Sequence, residues 1–305
     1  MLDLDYQMMV RAAWYYYLQN HTQQEIAHYL GVSRAKVIRL LDTARREDVI
    51  QFVFRSDDSV RMQQERAVIE RFGLRDAYVV PAPMADETLN DSLARAASMY
   101  VSQHIEDGAF VNMGFGDTMG LVLGYLANSG KKNLSIICLT GGVSYYLPTV
   151  SSGVYNMKLY LVPSPLIVSR PEVRDALVHE SQIKDVFKMS SHSSMSLVGI
   201  GSMSDDATII RNEILSKSEF TMLGMQNAVG DILSHFIDKD GNPVATDVES
   251  RLISTDLDDL RAMENVIGVA GGPEKHDAIR AVLKSSCLDV LITDELTAQA
   301  LLDDK

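Results

Sequence analysis

Cysteine is nearly absent. Cys138 and Cys287 are the only two in 305 residues, and both sit in apolar runs, Ile136-Ile137-Cys138-Leu139 and Cys287-Leu288. Buried thiols are therefore expected, not a disulfide framework or a metal site, and nothing in the chain calls for a cofactor. No apolar run approaches the roughly 18 uncharged residues that a membrane helix needs. Asp3 and Asp5 precede the first aromatics, so the start does not read as a secretion signal, and a soluble cytoplasmic protein is expected. Bases are also scarce: 28 Lys and Arg stand against 41 Asp and Glu, a formal net charge of -13. That excludes a chain that coats nucleic acid over its whole surface, although a local basic face remains open to it. At 305 residues, one hydrophobic core is an unusual solution and two domains are the starting expectation.

The positive charge that exists is concentrated. Arg34, Lys36, Arg39, Arg45 and Arg46 fall within fourteen residues whose only acid is Asp42. The same region predicts three consecutive helices. Met9, Ala12, Ala13, Tyr16 and Tyr17 recur at helical spacing. Thr22 with Glu25 forms a capping-box signature for a second helix over Thr22–Leu30, Gly31 suits a tight turn, and Ser33 can cap a third helix that buries Val37, Leu40 and Leu41. Ala27, Gly31, Val32, Val37 and Leu40 stand at the spacings where a DNA-binding helix-turn-helix needs a small residue, a turn and core anchors. A plain three-helix bundle would explain each signal singly but not their agreement. Ser33, Arg34, Lys36 and Arg39 are left facing outward to meet base edges and phosphates, with Gln23 and Gln24 placed to reach the backbone. Of Tyr15, Tyr16 and Tyr17, at least one is expected in the core. Ile50–Phe54 alternates like a short strand.

Ser56-Asp57-Asp58-Ser59 is the best boundary, dividing a helix-turn-helix domain (1–55) from a larger domain (56–305), with a helix over Val60–Phe72 after it. From Ala77 onward, apolar strands alternate with helices. The strands are expected over Tyr78–Val80, Phe110–Met113, Leu134–Leu139, Lys158–Val162, Ser196–Ile200, Val266–Ala270 and Val290–Thr293. The helices are expected over Leu89–Ile105, Thr118–Ala127, Glu274–Lys284 and Glu295–Leu302, and Asp238–Asn242 reads as a hairpin turn. This is the pattern of an α/β fold with a largely parallel sheet covered on both faces. Ligands of such sheets bind beyond the carboxyl ends of the strands. Four Gly-rich turns lie there: Gly114–Thr118, Thr140–Gly142, Gly199–Gly201 and Gly271–Lys275. Backbone N–H groups at helix starts suit an anion such as phosphate. No Asp or Glu occurs from Thr118 to Pro171, where about seven are expected at the chain-wide density, and this too reads as an anion site, with burial as the competing account. The GxGxxG spacing fails after Gly116 and no acid lies about 20 residues on to hold a ribose hydroxyl, which counts against nicotinamide binding.

Taken in order, the motifs resemble the SorC/DeoR-type sugar-binding transcriptional regulators of bacteria. They are Thr22–Ala27 with Gly31-Val32-Ser33, Gly114–Thr118, Leu139–Gly142, Val162–Leu166, Val198–Gly201, Ala228–Ile232, Gly268–Gly272 with Lys275, and Thr293-Asp294-Glu295. Within that family, the branch of repressors responding to phosphorylated autoinducer-2 is the most similar. The resemblance implies a Rossmann-like effector domain of the sugar-phosphate isomerase/deaminase type, a homo-tetramer on double-stranded operator DNA, and a phosphorylated sugar or polyol as effector. It implies that Gly116, Asp117 and Thr118 cradle phosphate or hydroxyls, that Thr140, Gly141 and Gly142 line the same cleft, that Asp231 accepts sugar hydroxyls, and that Lys275 pairs with the phosphate. The Arg that some relatives use for a second phosphate has no match. A sugar-phosphate isomerase or deaminase with an added DNA-binding domain is the alternative. Against it, Ser202-Met203-Ser204 replaces the Asp-Gly-His run of related deaminases, and no histidine falls in a Gly-rich strand-end loop. A regulator without catalysis is the expectation.

Overall fold

The computed structural model describes residues 4–47, 49–50, 56–83, 87–142 and 157–303. It divides into two compact units, Met1–Ser59 and Val60–Lys305.

In the first unit, α1 (Leu4–Tyr17), α2 (Gln23–Leu30) and α3 (Arg34–Arg46) pack around Met9, Ala12, Ala13, Ile26, Ala27, Val37, Leu40, Leu41 and Ala44. The caps form as the residue types dictate. Thr22 accepts from the Glu25 amide at 3.3 Å while the Glu25 carboxylate accepts from the Thr22 amide at 2.7 Å, closing the capping box. Gly31 ends α2 at φ 63°, a conformation that costs a side-chain-bearing residue energy. Its turn lets the Val32 amide donate back to the Ala27 carbonyl at 3.0 Å, and Ser33 then caps α3 by accepting from the Lys36 amide. Tyr15, Tyr16 and Tyr17 lie half-buried against this core. The strand expected over Ile50–Phe54 falls, except for Ile50, outside the described residues.

The polar run Ser56–Ser59 is not a break in the backbone: it forms the first turn of α4 (Ser56–Phe72), a turn earlier than expected. The second unit then runs β1 (Asp76–Val80), α5 (Leu89–His104), β2 (Phe110–Met113), α6 (Asp117–Ala127), β3 (Ser135–Cys138), β4 (Lys158–Tyr160), α7 (Pro171–His179) and α8 (Ser181–Met189). There follow β5 (Ser196–Ser202), α9 (Thr208–Arg211), α10 (Lys217–Met225), β6 (Gly230–Ile232), β7 (His235–Ile237), α11 (Asp247–Arg251), α12 (Leu257–Ala262), β8 (Val266–Val269), α13 (His276–Lys284), β9 (Val290–Asp294) and α14 (Glu295–Asp303).

The main sheet has the order β1-β9-β8-β5-β2-β3-β4, and each of these neighbours pairs parallel. Alternate residues of its strands feed two cores. Leu291 and Val266 join Val68 of α4 and Ile279 and Val282 of α13 on one face, while Val290, Ile292 and Ile267 join Leu93 of α5 and Val122 of α6 on the other. Burial on both faces is why these strands read as unbroken apolar runs. The chain builds outward from β2 through β3 to β4, then returns to lay β5 against the other edge of β2. A crevice opens at that reversal, beyond the carboxyl ends of β2 and β5. There β5 outruns the parallel ladder, and Ile200–Ser202 pair antiparallel with the β6–β7 hairpin. A satellite core of Ile209, Leu215, Phe220, Leu223, Phe236 and Val248 anchors α9 and α10 beside it. The 238–242 turn forms as expected, with Gly241 at φ 82°.

Candidate functional site

The crevice encloses a cavity of about 450 Å³. Its walls come from Gly116, Asp117, Thr118 and Met119 at the start of α6, Gly199–Ser202 of β5, Thr208 and Arg211 of α9, Asp231 of β6, and Glu274 and Lys275 before α13. Gly116 adopts φ 127° and offers no side chain to cap α6. The first residues of α6 border the cavity, and their amides lack the internal partners that later turns of a helix supply. The Thr118 hydroxyl donates to Asn90 Oδ1 at 3.2 Å, and Asp117 is ion-paired to Arg211 and accepts from the Thr208 hydroxyl at 3.3 Å.

Asp231 and Lys275 also line this space. The Asp231 carboxylate lies beneath the protein surface yet borders the cavity. Burial pushes its pKa up to about 6, and the Ser234 amide with the Lys275 and His235 charges offset that only in part. Ser234 N–H reaches Asp231 Oδ2 at 3.0 Å. Burial likewise pulls the Lys275 ammonium below its ordinary value, against the attraction of Glu274, Asp231 and Asp117. The Asp231 contribution to stability is fully present below pH about 4 and lost as pH rises through about 6, since the native state holds the proton more tightly. Thermal denaturation of Asp231→Asn should lack the fall across that window that the parent chain shows.

Gly201 makes the placement of Asp231 possible. The two residues are opposite one another in the β5–β6 ladder, and a Cβ on Gly201 would collide with the Asp231 carboxylate.

Of the residues expected at the effector site, Gly116, Asp117, Thr118, Asp231 and Lys275 converge, whereas Thr140, Gly141 and Gly142 do not line this cavity. Thr140 is fully buried with its hydroxyl on the Gly141 carbonyl, and a Cβ on Gly141 would strike the Pro165 carbonyl. The amides of Gly141 and Gly142 are taken by the carbonyls of Ile253 and Ser164. The Gly272 amide is likewise occupied, by Asp294 and Thr297. These amides are engaged within the fold, although the turn after Gly272 still brings Lys275 to the cavity. The described part of the acid-free stretch fits the burial account. It gives only Thr118 and Met119 to the cavity among the described residues, while β3 is buried throughout and α6 buries Val122, Leu123 and Leu126. Thr208 and Arg211, which the sequence reading missed, enter from the one-turn helix α9, a segment with no motif of its own.

On the first unit, Ser33, Arg34 and Arg39 are exposed, as is Gln24, while Lys36 is half-exposed and paired with Asp5 at 3.3 Å. Arg34 Nε donates to Gln23 Oε1 at 3.3 Å, and both line a shallow concavity with Gln24, Tyr16 and Tyr17. No group of His, Cys, Asp and Glu is arranged to hold a metal among the described residues, and no helix there is long and apolar enough to cross a membrane.

The cavity at the sheet's switch point is thus walled by the Asp231 carboxylate, the Lys275 ammonium and the uncapped start of α6. The family model described as "Putative sugar-binding domain" matches residues 59–303. The chain belongs to the SorC/DeoR-type sugar-binding transcriptional regulators. It is 33% identical to the transcriptional regulator LsrR of Klebsiella pneumoniae over 300 residues, covering 97% of this chain and 93% of that one. It is 30% identical to the deoxyribonucleoside regulator of Bacillus subtilis, covering 98% of each chain. The full-length sorbitol operon regulator SorC of K. pneumoniae shares the fold, with a TM-score of 0.70 at 24% identity over 97% of this chain and 98% of that one.

Proposed function

We propose that the chain is a DNA-binding repressor of a carbohydrate or polyol operon, controlled by a phosphorylated sugar-type effector and acting as a cytoplasmic homo-tetramer. In this reading the first unit is a helix-turn-helix whose α3 enters the major groove, with Arg34 and Arg39 on base edges and Gln23 and Gln24 on phosphates. The second is an effector domain of the sugar-phosphate isomerase/deaminase type. One observation carries the reading: Lys275 and the open amides of α6 share a cavity with Asp231, a buried carboxylate suited to sugar hydroxyls. An anion and hydroxyls on one small molecule match that pairing. An effector that binds the DNA-free state more tightly, by about 1–3 kcal/mol, shifts the repressor off its operator.

A thermal-shift screen with phosphorylated sugars and polyols, each beside its unphosphorylated parent, tests this. At about 100 times its dissociation constant, the right ligand stabilises the fold by about 2.7 kcal/mol. Lys275→Gln should cancel the advantage of the phosphorylated form. Equal stabilisation by both forms would remove the phosphate from the account.

The enzyme reading has one observation in its favour: Asp231 and Lys275 are an acid and a base whose pKa values are drawn toward each other, as in proton-transfer sites. Yet no histidine lines the cavity among the described residues. Isomerisation or deamination of the stabilising ligand, followed by NMR, decides between the two.

A further inference from the structure

Asp117 presents a difficulty for any anion site at the start of α6. It is the first residue of that helix, its side chain is about half exposed to the cavity, and an incoming phosphate would sit beside its negative charge. Like charges brought together without compensation cost several kcal/mol. The cavity wall holds Asp117, Asp206, Asp231 and Glu274 against only Arg211 and Lys275, so no surplus of cations exists to absorb the penalty. The Asp117 carboxylate, however, is already engaged by Arg211 and by the Thr208 hydroxyl. These partners come from α9, which is anchored in the satellite core and not in the sheet face that carries α6. Asp117 thus occupies the guanidinium that a ligand anion would need. Such a pair between half-exposed side chains, at 51% and 47%, is worth little in stability and exchanges readily.

We propose that Asp117 is a built-in competitor for the effector's anionic group: it holds Arg211 until an anion seated on the α6 amides takes Arg211 from it. This rests on the anion site proposed above and assigns that site its selecting residue. A guanidinium offers two parallel donors to phosphate, and a phosphate dianion outbids a single carboxylate for them. A neutral sugar has no means of displacing Asp117, and a monoanionic sugar acid has little. The exchange sets the threshold of the response and favours the doubly charged group.

The test uses inorganic phosphate as probe, titrated into the full-length protein in a phosphate-free buffer and followed by calorimetry and thermal melting. Asp117→Asn frees Arg211 and should tighten phosphate binding by about tenfold, the loss of one close like-charge contact. Asp206→Asn removes the same charge from the same wall, where Asp206 makes no ion pair among the described residues, and calibrates the general electrostatic gain. Arg211→Gln should weaken phosphate binding, and the double variant Asp117→Asn/Arg211→Gln should keep no gain beyond that of Asp206→Asn. Melting without phosphate confirms that each variant is folded. The proposal is overturned if Asp117→Asn binds no more tightly than Asp206→Asn, or if its gain survives loss of Arg211. If the parent protein binds phosphate through Lys275 while Asp117→Asn gains nothing, only the competitor role fails. If neither the parent nor Asp117→Asn binds phosphate at all, the anion site fails with it.

Discussion

Replacing Arg34 and Arg39 together with alanine should remove sequence-specific DNA binding while leaving the response to effector intact. Both side chains are exposed on α3, whose opposite face is fixed by Val37, Leu40, Leu41 and Ala44. The substitutions therefore touch no core contact, and the first unit should fold unchanged. Each Arg that pairs with a guanine edge contributes about 1–3 kcal/mol of discrimination, so the double variant should lose two or more orders of magnitude in operator affinity. Gln24→Ala should act differently, weakening binding to all sequences alike if it meets only phosphate. An operator selected from random sequence and assayed by gel shift checks both. A double variant that protects the operator as the parent does would put the reading surface elsewhere.

The second large effect is expected at Gly201. A methyl group there occupies the position of the Asp231 carboxylate, whose backbone is fixed opposite it by the ladder. The hairpin must shift or the carboxylate must turn away from the cavity, and such overpacking costs about 1–3 kcal/mol of stability. Gly201→Ala should therefore reduce effector affinity by more than tenfold, since about 1.4 kcal/mol of lost contact already accounts for a factor of ten. DNA binding should persist and no longer respond to the effector. Normal induction by Gly201→Ala in a reporter strain would show that Asp231 is not a contact for the effector.

The central strands were legible because both sheet faces are buried, and continuous apolar runs such as Leu134–Leu139 and Val290–Thr293 follow from that. The β6–β7 hairpin was not. Its strands are three residues each and carry the polar Asp231 and His235, and β6 pairs only because β5 extends past its parallel neighbours to meet it. The glycine motifs were visible, but their purposes were not. Gly116 leaves a helix start open and Gly201 makes room for a carboxylate, whereas Gly268 only admits Leu288 and Gly141 only admits Pro165. Composition cannot separate these uses, because the neighbour that fills each space is distant in the chain. Arg211 escaped notice for the same reason: its partner Asp117 lies 94 positions away.

The link between β6 and β7 carries a further consequence. Leu233 and Ser234 both take the left-handed conformation, at φ 52° and 66°, in a two-residue connection that usually employs Asn-Gly. Residues with side chains are disfavoured there by about 1–3 kcal/mol each, so this corner of the molecule has been kept under tension. Leu233 also forms part of the cavity wall, and the amide of Ser234 steadies Asp231. Ser234→Gly would relieve the tension at one of these two positions while keeping the amide that steadies Asp231, whereas Leu233 is buried in the core and could not give way to a polar turn residue without losing more in packing than the turn regains.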